Sequence, residues 1–330
     1  MDIPLSILDL APITQGSDAG QALANTLDLA QHAEKWGYHR FWLAEHHNMP
    51  GIASAATSVV MTHVAGNTRT IRVGSGGIML PNHSPLVIAE QFGTMASLFP
   101  GRIDLGLGRA PGTDPLTSRA LRRDVHAAAE RFPEDIEELQ EYLGTSSGRI
   151  QAVPGQGTNV PIWLLGSSLF SARLAALKGL PYAFASHFAP GQMMDALNLY
   201  RVHFRPSDQL KAPRVMVAVN LYASDTEEEA RLLFSSVQQL FVALRFGTPG
   251  KLAPPIVDYE RQLHPMQRAT LDAALHYTAL GTPSQVRSKL QSIVEETRAD
   301  ELILVSHIFD HQKRLKSYEI GAEILKARVS

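Results

Sequence analysis

Apolar residues fall along this chain in short runs of strand length, and most runs are followed by a segment with helical spacing. The first run, Leu5-Ser6-Ile7-Leu8-Asp9-Leu10, ends at Ala11-Pro12. After Gly16-Ser17-Asp18, Leu23, Thr26, Leu27, Ala30, Ala33 and Trp36 recur every three or four residues. That spacing predicts a helix with one apolar face, stopped by Gly37. Further strands are expected at residues 40–44, 71–80, 103–108, 161–166, 182–186, 215–221 and 301–305, with helices at residues 53–65, 87–98, 131–143, 169–177 and from about Lys313. The runs are apolar almost throughout, as expected of strands buried on both faces.

Eight such strands with helices between them predict an α/β fold, a (β/α)8 TIM barrel forming one domain over residues 1–330. A doubly wound parallel sheet is the alternative. Two gaps are long, one after strand 4 and one after strand 7, and both are read as insertions. The second, Ser224 to Asp300, contains Gly247-Thr248-Pro249-Gly250 and Pro254-Pro255. Its segment 247–265 is expected either to cover the barrel mouth or to be an ordinary surface loop.

Composition narrows the chemistry. Of the 330 residues, 45% are apolar and 19% charged, which is enough to bury a large core. Thirty Lys and Arg against 32 Asp and Glu give a net charge of −2, so no polycationic surface offers itself to nucleic acid. No apolar run approaches membrane-spanning length, so no membrane partner is expected. The start, Met1-Asp2-Ile3-Pro4, lacks the features of a secretion signal, and a cytoplasmic location is expected. The chain has no Cys, which excludes disulfides, zinc-thiolate sites, iron–sulfur clusters and thiol nucleophiles. Chemistry must then come from His, carboxylates, hydroxyls, Arg or a cofactor.

In a barrel that chemistry gathers where the strands end. Strand 2 ends in Glu45-His46-His47-Asn48. Successive side chains there point to opposite sides, so one His can face the mouth while the other packs sideways. A metal site would draw further ligands from other strand ends, where Asp9, His187 and His307 stand. A general base or hydrogen-bond donor is the other functional reading, and plain packing the third. Strand 3 carries Gly74, Gly76 and Gly77, which suit either a flat ligand against bare backbone or barrel curvature. Strand 4 ends in Gly106-Leu107-Gly108-Arg109-Ala110-Pro111-Gly112. Pro111 stands where a dinucleotide fingerprint needs its third glycine, so that fingerprint is rejected. Arg109 is left to hold an anion or a flavin carbonyl. Strand 5 runs through Gly166-Ser167-Ser168 into a helix carrying Ser171, an arrangement that suits phosphate or simple N-capping.

Four segments in order resemble the bacterial luciferase-like, flavin-dependent monooxygenase family: residues 41–47, 73–81, 101–109 and 165–172. The resemblance extends from about Leu5 to the C-terminal helix and is strongest to an uncharacterised luciferase-like subgroup.

The resemblance implies an oxidoreductase that uses reduced FMN, supplied by a separate flavin reductase, and dioxygen to oxidise a small organic substrate. It also implies a homodimer. His46 takes the place of the family's histidine near the reactive edge of the flavin, and Glu45 or Asn48 is expected to orient it. A non-proline cis peptide is implied at or beside Gly76–Gly77. The cofactor-binding set is Gly76, Gly77, Arg109, Gly166, Ser167, Ser168 and Ser171, and no metal is expected. Light-emitting relatives carry a reactive Cys where this chain has Gly108, which moves it away from bioluminescence. The alternatives are a deazaflavin-dependent oxidoreductase on the same barrel, a metal-dependent barrel hydrolase and a non-catalytic flavin-binding protein.

Overall fold

The computed structural model describes residues 3–110, 115–121, 129–145 and 148–326. Pro111 and Gly112, part of the segment read for a fingerprint, lie outside the described residues. The chain alternates strand and helix: β1 (Leu5–Asp9), α1 (Ala19–Trp36), β2 (Arg40–Leu43), α2 (Thr57–Gly66), β3 (Arg72–Ser75), β4 (Ile78–Met79), α3 (Pro85–Leu98) and β5 (Ile103–Gly108). Then come α4 (Pro115–Ala120), α5 (Phe132–Leu143), β6 (Ile162–Gly166), α6 (Leu169–Lys178), β7 (Tyr182–Phe184), α7 (Met193–His203) and β8 (Val215–Ala223). The rest is α8 (Glu227–Phe246), α9 (Tyr259–Gln262), α10 (Pro265–Ala274), β9 (Thr278–Gly281), α11 (Pro283–Thr297), β10 (Glu301–Val305) and α12 (His311–Lys326).

Strands pair in parallel in the order β1-β2-β3-β5-β6-β7-β8-β10, and β10 returns to β1. This is a closed (β/α)8 barrel. Local chemistry sets the helix ends. Asp18 caps α1 by accepting from the Gln21 N–H, and Gly37 closes it in the left-handed region at φ 90°. Thr282 and Gln285 form a reciprocal capping box on α11.

Two cores result. Outward-facing residues such as Leu5, Ile7, Phe41, Leu43, Val73 and Leu105 pack under the helices. Inside the ring, Leu8, Trp42, Ala44, Trp163, Met216 and Val305 form a separate apolar layer. Below that layer the barrel is plugged by ions. Arg40 binds Asp104 and Glu301, each at 2.7 Å, and its guanidinium stacks 4.9 Å from the Trp163 ring centre.

The structure refines the sequence reading in two places. The expected strand 71–80 is split into β3 and β4, with a cis peptide between Gly76 and Gly77. The insertion at 224–300 holds α8 to α11 and a further strand, β9, parallel to the outer end of β8. It builds a small core of its own from Tyr222, Phe234, Val237, Phe241 and Leu271. Its Pro/Gly-rich part crosses to the loops after β1 and β2, where Leu252 exchanges backbone hydrogen bonds with Ile13 and Gln15. Among the described residues, no helix is long and apolar enough to cross a membrane.

Candidate functional site

Alternation along the strands decides what faces the barrel mouth. Trp42 and Ala44 point into the ring, and His46 continues that face one step beyond the apolar layer. Glu45 and His47 have the opposite parity. The Glu45 carboxylate, 1% exposed, accepts from His47 Nε2 and His83 Nε2, both at 2.8 Å to Oε1, and from the Met79 N–H at 3.1 Å to Oε2. Burial alone would raise its pKa, but the hydrogen bonds from His47 and His83, with the His83 charge and the Met79 N–H, outweigh it and hold the group at about 2. Glu45 therefore ties the end of β2 to β4 and to the turn before α3.

Among the described residues, Glu45, His47 and His83 are the group of three whose ligand atoms lie within 4.8 Å of one another. Two imidazoles sharing one carboxylate oxygen account for that closeness by hydrogen bonding. His46, His187 and His307 are not part of so compact a group.

The glycines of β3 to β5 make room for large neighbours. A Cβ at Gly76 would sit 2.5 Å from Leu8 Cδ1, and one at Gly74 would run into Trp42. A Cβ at Gly77 would lie 2.8 Å from the Gly106 carbonyl oxygen, and one at Gly108 would lie 2.9 Å from Met79 Sδ. This arc of the ring is bare backbone against Trp42, Leu8 and Met79. A Cβ at Gly166 would meet Ser171, so the β6 end is equally bare.

At the start of α6, Ser168 is the N-cap and Ser171 is buried beside it. Ser171 Oγ donates to the Ser168 carbonyl at 2.9 Å and lies 3.0 Å from the Tyr182 hydroxyl. Ser167 immediately precedes this cap. Arg109, from the end of β5, stacks its guanidinium 4.1 Å from the ring centre of Phe170, in the first turn of α6. A cation, serine hydroxyls and the open N–H groups of a helix start are thus brought to one edge of the mouth.

Further round the ring stand the other two strand-end histidines, after β7 and β10. His187 lies in the turn after β7, and His307 two residues past the end of β10. The charge of His46 bears on both imidazoles, and that of His307 on His187. Burial, then the neighbouring His307 and His46, push His187 down to about 3. Burial, then Arg314 and His46 against the opposing Asp9, bring His307 to about 4. His46 is lowered by burial and by His47, with Glu45 opposing. The Nδ1 atoms of all three are buried and have no hydrogen-bond partner. Asp9 is fully buried and is paired with Arg314 of α12 and Thr26 of α1. The strand-end positions of His187 and His307 were visible in the sequence; the bearing of the His46 charge on them was not.

Comparison with known proteins gives the family. The family model described as luciferase-like monooxygenase matches residues 3–301. The chain is 53% identical over 324 residues to a luciferase-like monooxygenase of Escherichia coli strain K12, covering 98% of this chain and 97% of the relative. It is 32% identical to the N-acetyl-S-alkylcysteine monooxygenase of Bacillus subtilis, covering 98% and 99%. The crystal structure of apo-MsnO8 superposes with a TM-score of 0.92 at 33% identity over 98% of both chains. Two more distant structures share the fold. The oxygenating constituent of 3,6-diketocamphane monooxygenase from Pseudomonas putida, in complex with FMN, gives a TM-score of 0.75 at 16% identity, covering 99% of both chains. The coenzyme F420 dependent tetrahydromethanopterin reductase of Methanopyrus kandleri gives 0.68 at 15% identity, covering both chains completely. With the barrel and the match across nearly all of its length, this chain belongs to the luciferase-like monooxygenase family.

Proposed function

We propose that this protein is a flavin-dependent monooxygenase that uses reduced FMN and dioxygen to oxidise a small organic substrate. One observation carries the reading: Arg109, the serines at the start of α6 and the buried His46 are brought to the same barrel mouth. The donor set at the edge fits the phosphate of FMN. Ser167, Ser168, Ser171 and the N-terminus of α6 would hold it, with Arg109 adding positive charge. Gly166, Gly76 and Gly77 leave the backbone open for a flat ring to approach. Membership of the family and the FMN complex of a protein with the same fold support this choice of cofactor.

Bound reduced FMN supplies the two electrons with which dioxygen delivers one oxygen atom to the substrate and the other to water. His46 stays neutral near pH 7, because burial disfavours its charged form, and can hold or take a proton at the reacting centre. Glu45 fixes the end of β2, and its charge favours the protonated form of His46, against the burial that prevails. The apolar layer beneath, with Leu10 and Leu165 above it, keeps water from the floor of the site. The strap around Leu252 lies over the β1 and β2 side of the mouth and serves as its cover. A relative that is an N-acetyl-S-alkylcysteine monooxygenase favours a small organic molecule as substrate. The reductant comes from a separate flavin reductase, and the protein works as a cytoplasmic homodimer.

Fluorescence titration of the purified protein with FMN and with coenzyme F420 tests the reading. Saturable FMN binding, followed by oxygen consumption and substrate oxidation when a flavin reductase is added, is expected. Tight F420 binding in its place would move the protein to deazaflavin-dependent hydride transfer, and FMN binding without any turnover would leave a flavin-binding protein.

A further inference from the structure

Four carboxylates among the described residues are at most 1% exposed: Asp9, Glu45, Asp104 and Glu301. Three of them face a guanidinium, whose charge is permanent. Asp9 has Arg314, Asp104 has Arg40 and Arg72, and Glu301 has Arg40 and Arg214. Glu45 is the exception. Its ion-pair partners are the imidazoles of His47 and His83, which carry a charge only when protonated. A buried carboxylate is costly unless a cation or a metal ion balances it.

The groups around Glu45 are the donors a metal ion uses. Both Nε2 atoms lie 2.8 Å from the same oxygen, Oε1, and all three ligand atoms fall within 4.8 Å of one another. The other oxygen, Oε2, accepts from the Met79 N–H at 3.1 Å, which turns Oε1 toward the imidazoles. The backbone behind the ligands is held. The Ala44 carbonyl, just before Glu45, accepts from Thr57 Oγ1 at 3.1 Å, and the His83 N–H donates to the Leu80 carbonyl at 2.9 Å. An ion can reach the cluster from solvent, because the His47 and His83 side chains are 17% and 28% exposed. Metal–ligand distances of about 2.0–2.2 Å place the ligands of a tetrahedral ion about 3.4 Å apart, so the two N···O separations have to open by about 0.6 Å.

We propose that Glu45, His47 and His83 form a binding site for a divalent transition-metal ion of the zinc type, with water in the fourth position. Two imidazoles and one carboxylate suit that ion, and the chain has no Cys to offer it a thiolate site elsewhere. Each imidazole binds through Nε2 in its neutral form, with its proton on Nδ1, and any second proton leaves to solvent. The ion replaces the shared hydrogen bonds in joining the end of β2 to the turn before α3. His46 stands between two of the ligands in sequence, so the ion fixes the backbone that carries it. This inference is independent of the flavin reading, since no cofactor takes part in it.

Isothermal titration of the full chain with zinc, after dialysis against a chelator, tests it. The wild-type protein is expected to bind one equivalent. His83→Ala is expected to bind at least about tenfold more weakly, the least that loss of even an outer partner of a metal site costs. His32→Ala, which removes an imidazole beside Asp28 instead, is expected to match the wild type. Cobalt(II) gives a second reading: on the wild-type protein it should show the strong visible absorption of a four-coordinate site, and zinc should displace it. No zinc binding, binding that His83→Ala leaves unchanged, or the pale spectrum of six-coordinate cobalt would overturn the proposal. The wild-type stoichiometry and cobalt spectrum are decisive even if a variant does not fold.

Discussion

Arg314 of the C-terminal helix forms an ion pair with Asp9 at the end of the first strand, joining residues from opposite ends of the chain inside the barrel wall. Their side chains are 3% and 0% exposed, and Thr26 and the Ala11 N–H complete the shell around the carboxylate. Burial raises the Asp9 pKa, but Arg314 and these hydrogen bonds prevail and hold it below the usual carboxylate range.

Removing one member of this pair should be far worse than removing both. Arg314→Ala leaves a buried carboxylate without its cation and should cost about 3–5 kcal/mol. Asp9→Asn/Arg314→Met removes both charges and should recover most of that loss. Urea unfolding curves of the three proteins measure the difference; equal destabilisation by the single and double changes would show that packing, not charge, governs the site.

His46→Ala should lower substrate oxidation at least about 100-fold, the lower end for loss of a general acid or base. FMN affinity should change little, because the phosphate edge lies across the mouth. Reductase-coupled turnover and FMN titration on the same preparation separate the two effects. Undiminished turnover would take His46 out of the mechanism.

The phosphate reading predicts a contrast between two flavins. Ser168→Asp keeps an N-cap acceptor but places negative charge at the start of α6. FMN affinity should fall about tenfold or more, as expected for the loss of a charge-assisted contact. Riboflavin, which lacks the phosphate, should bind the variant and the wild type alike. A parallel loss for both flavins would place the phosphate elsewhere.

The mouth histidines should make stability depend on pH. His187 and His307 protonate near 6.5 when unfolded but only at about 3 and about 4 when folded. Between those values the unfolded chain binds more protons, so stability falls as pH drops below 6.5. Each histidine contributes at most about 1.4 kcal/mol per pH unit, and the partial exposure of His187 makes that an upper bound. His39, His46 and His311 are lowered as well and add to the slope. Urea midpoints at pH 5 and pH 7 should show the fall, and His187→Leu/His307→Leu should flatten it. The loss that Glu45 adds begins only below its ordinary range, near 4.5.

Much of the architecture was written in local pattern. The runs at Leu5, Arg40 and Ile103 and the helical spacing from Leu23 to Trp36 specify strands and helices that burial alone requires. The helices inside the insertion after β8 are harder to read, because Pro254, Pro255 and the Gly247–Gly250 stretch interrupt the pattern there. Its real signals were quieter: Thr226 ahead of three glutamates, and the Thr282–Gln285 capping box. The break within 71–80 was equally hidden, since Gly76 and Gly77 read as strand glycines until Trp42 and Leu8 are seen to need their space.

By itself the sequence determined the order of the elements, the absence of thiol chemistry and the opposed directions of His46 and His47, because each follows from composition or from a two-residue period. Only the tertiary structure decided that the charge of His46 bears on His187 and His307, that Arg314 reaches Asp9 and that Arg109 stacks over the start of α6. Those contacts join residues far apart in the chain. Closure of the ring sets them, since a strand's pattern says which face is buried but not which other strand it will face.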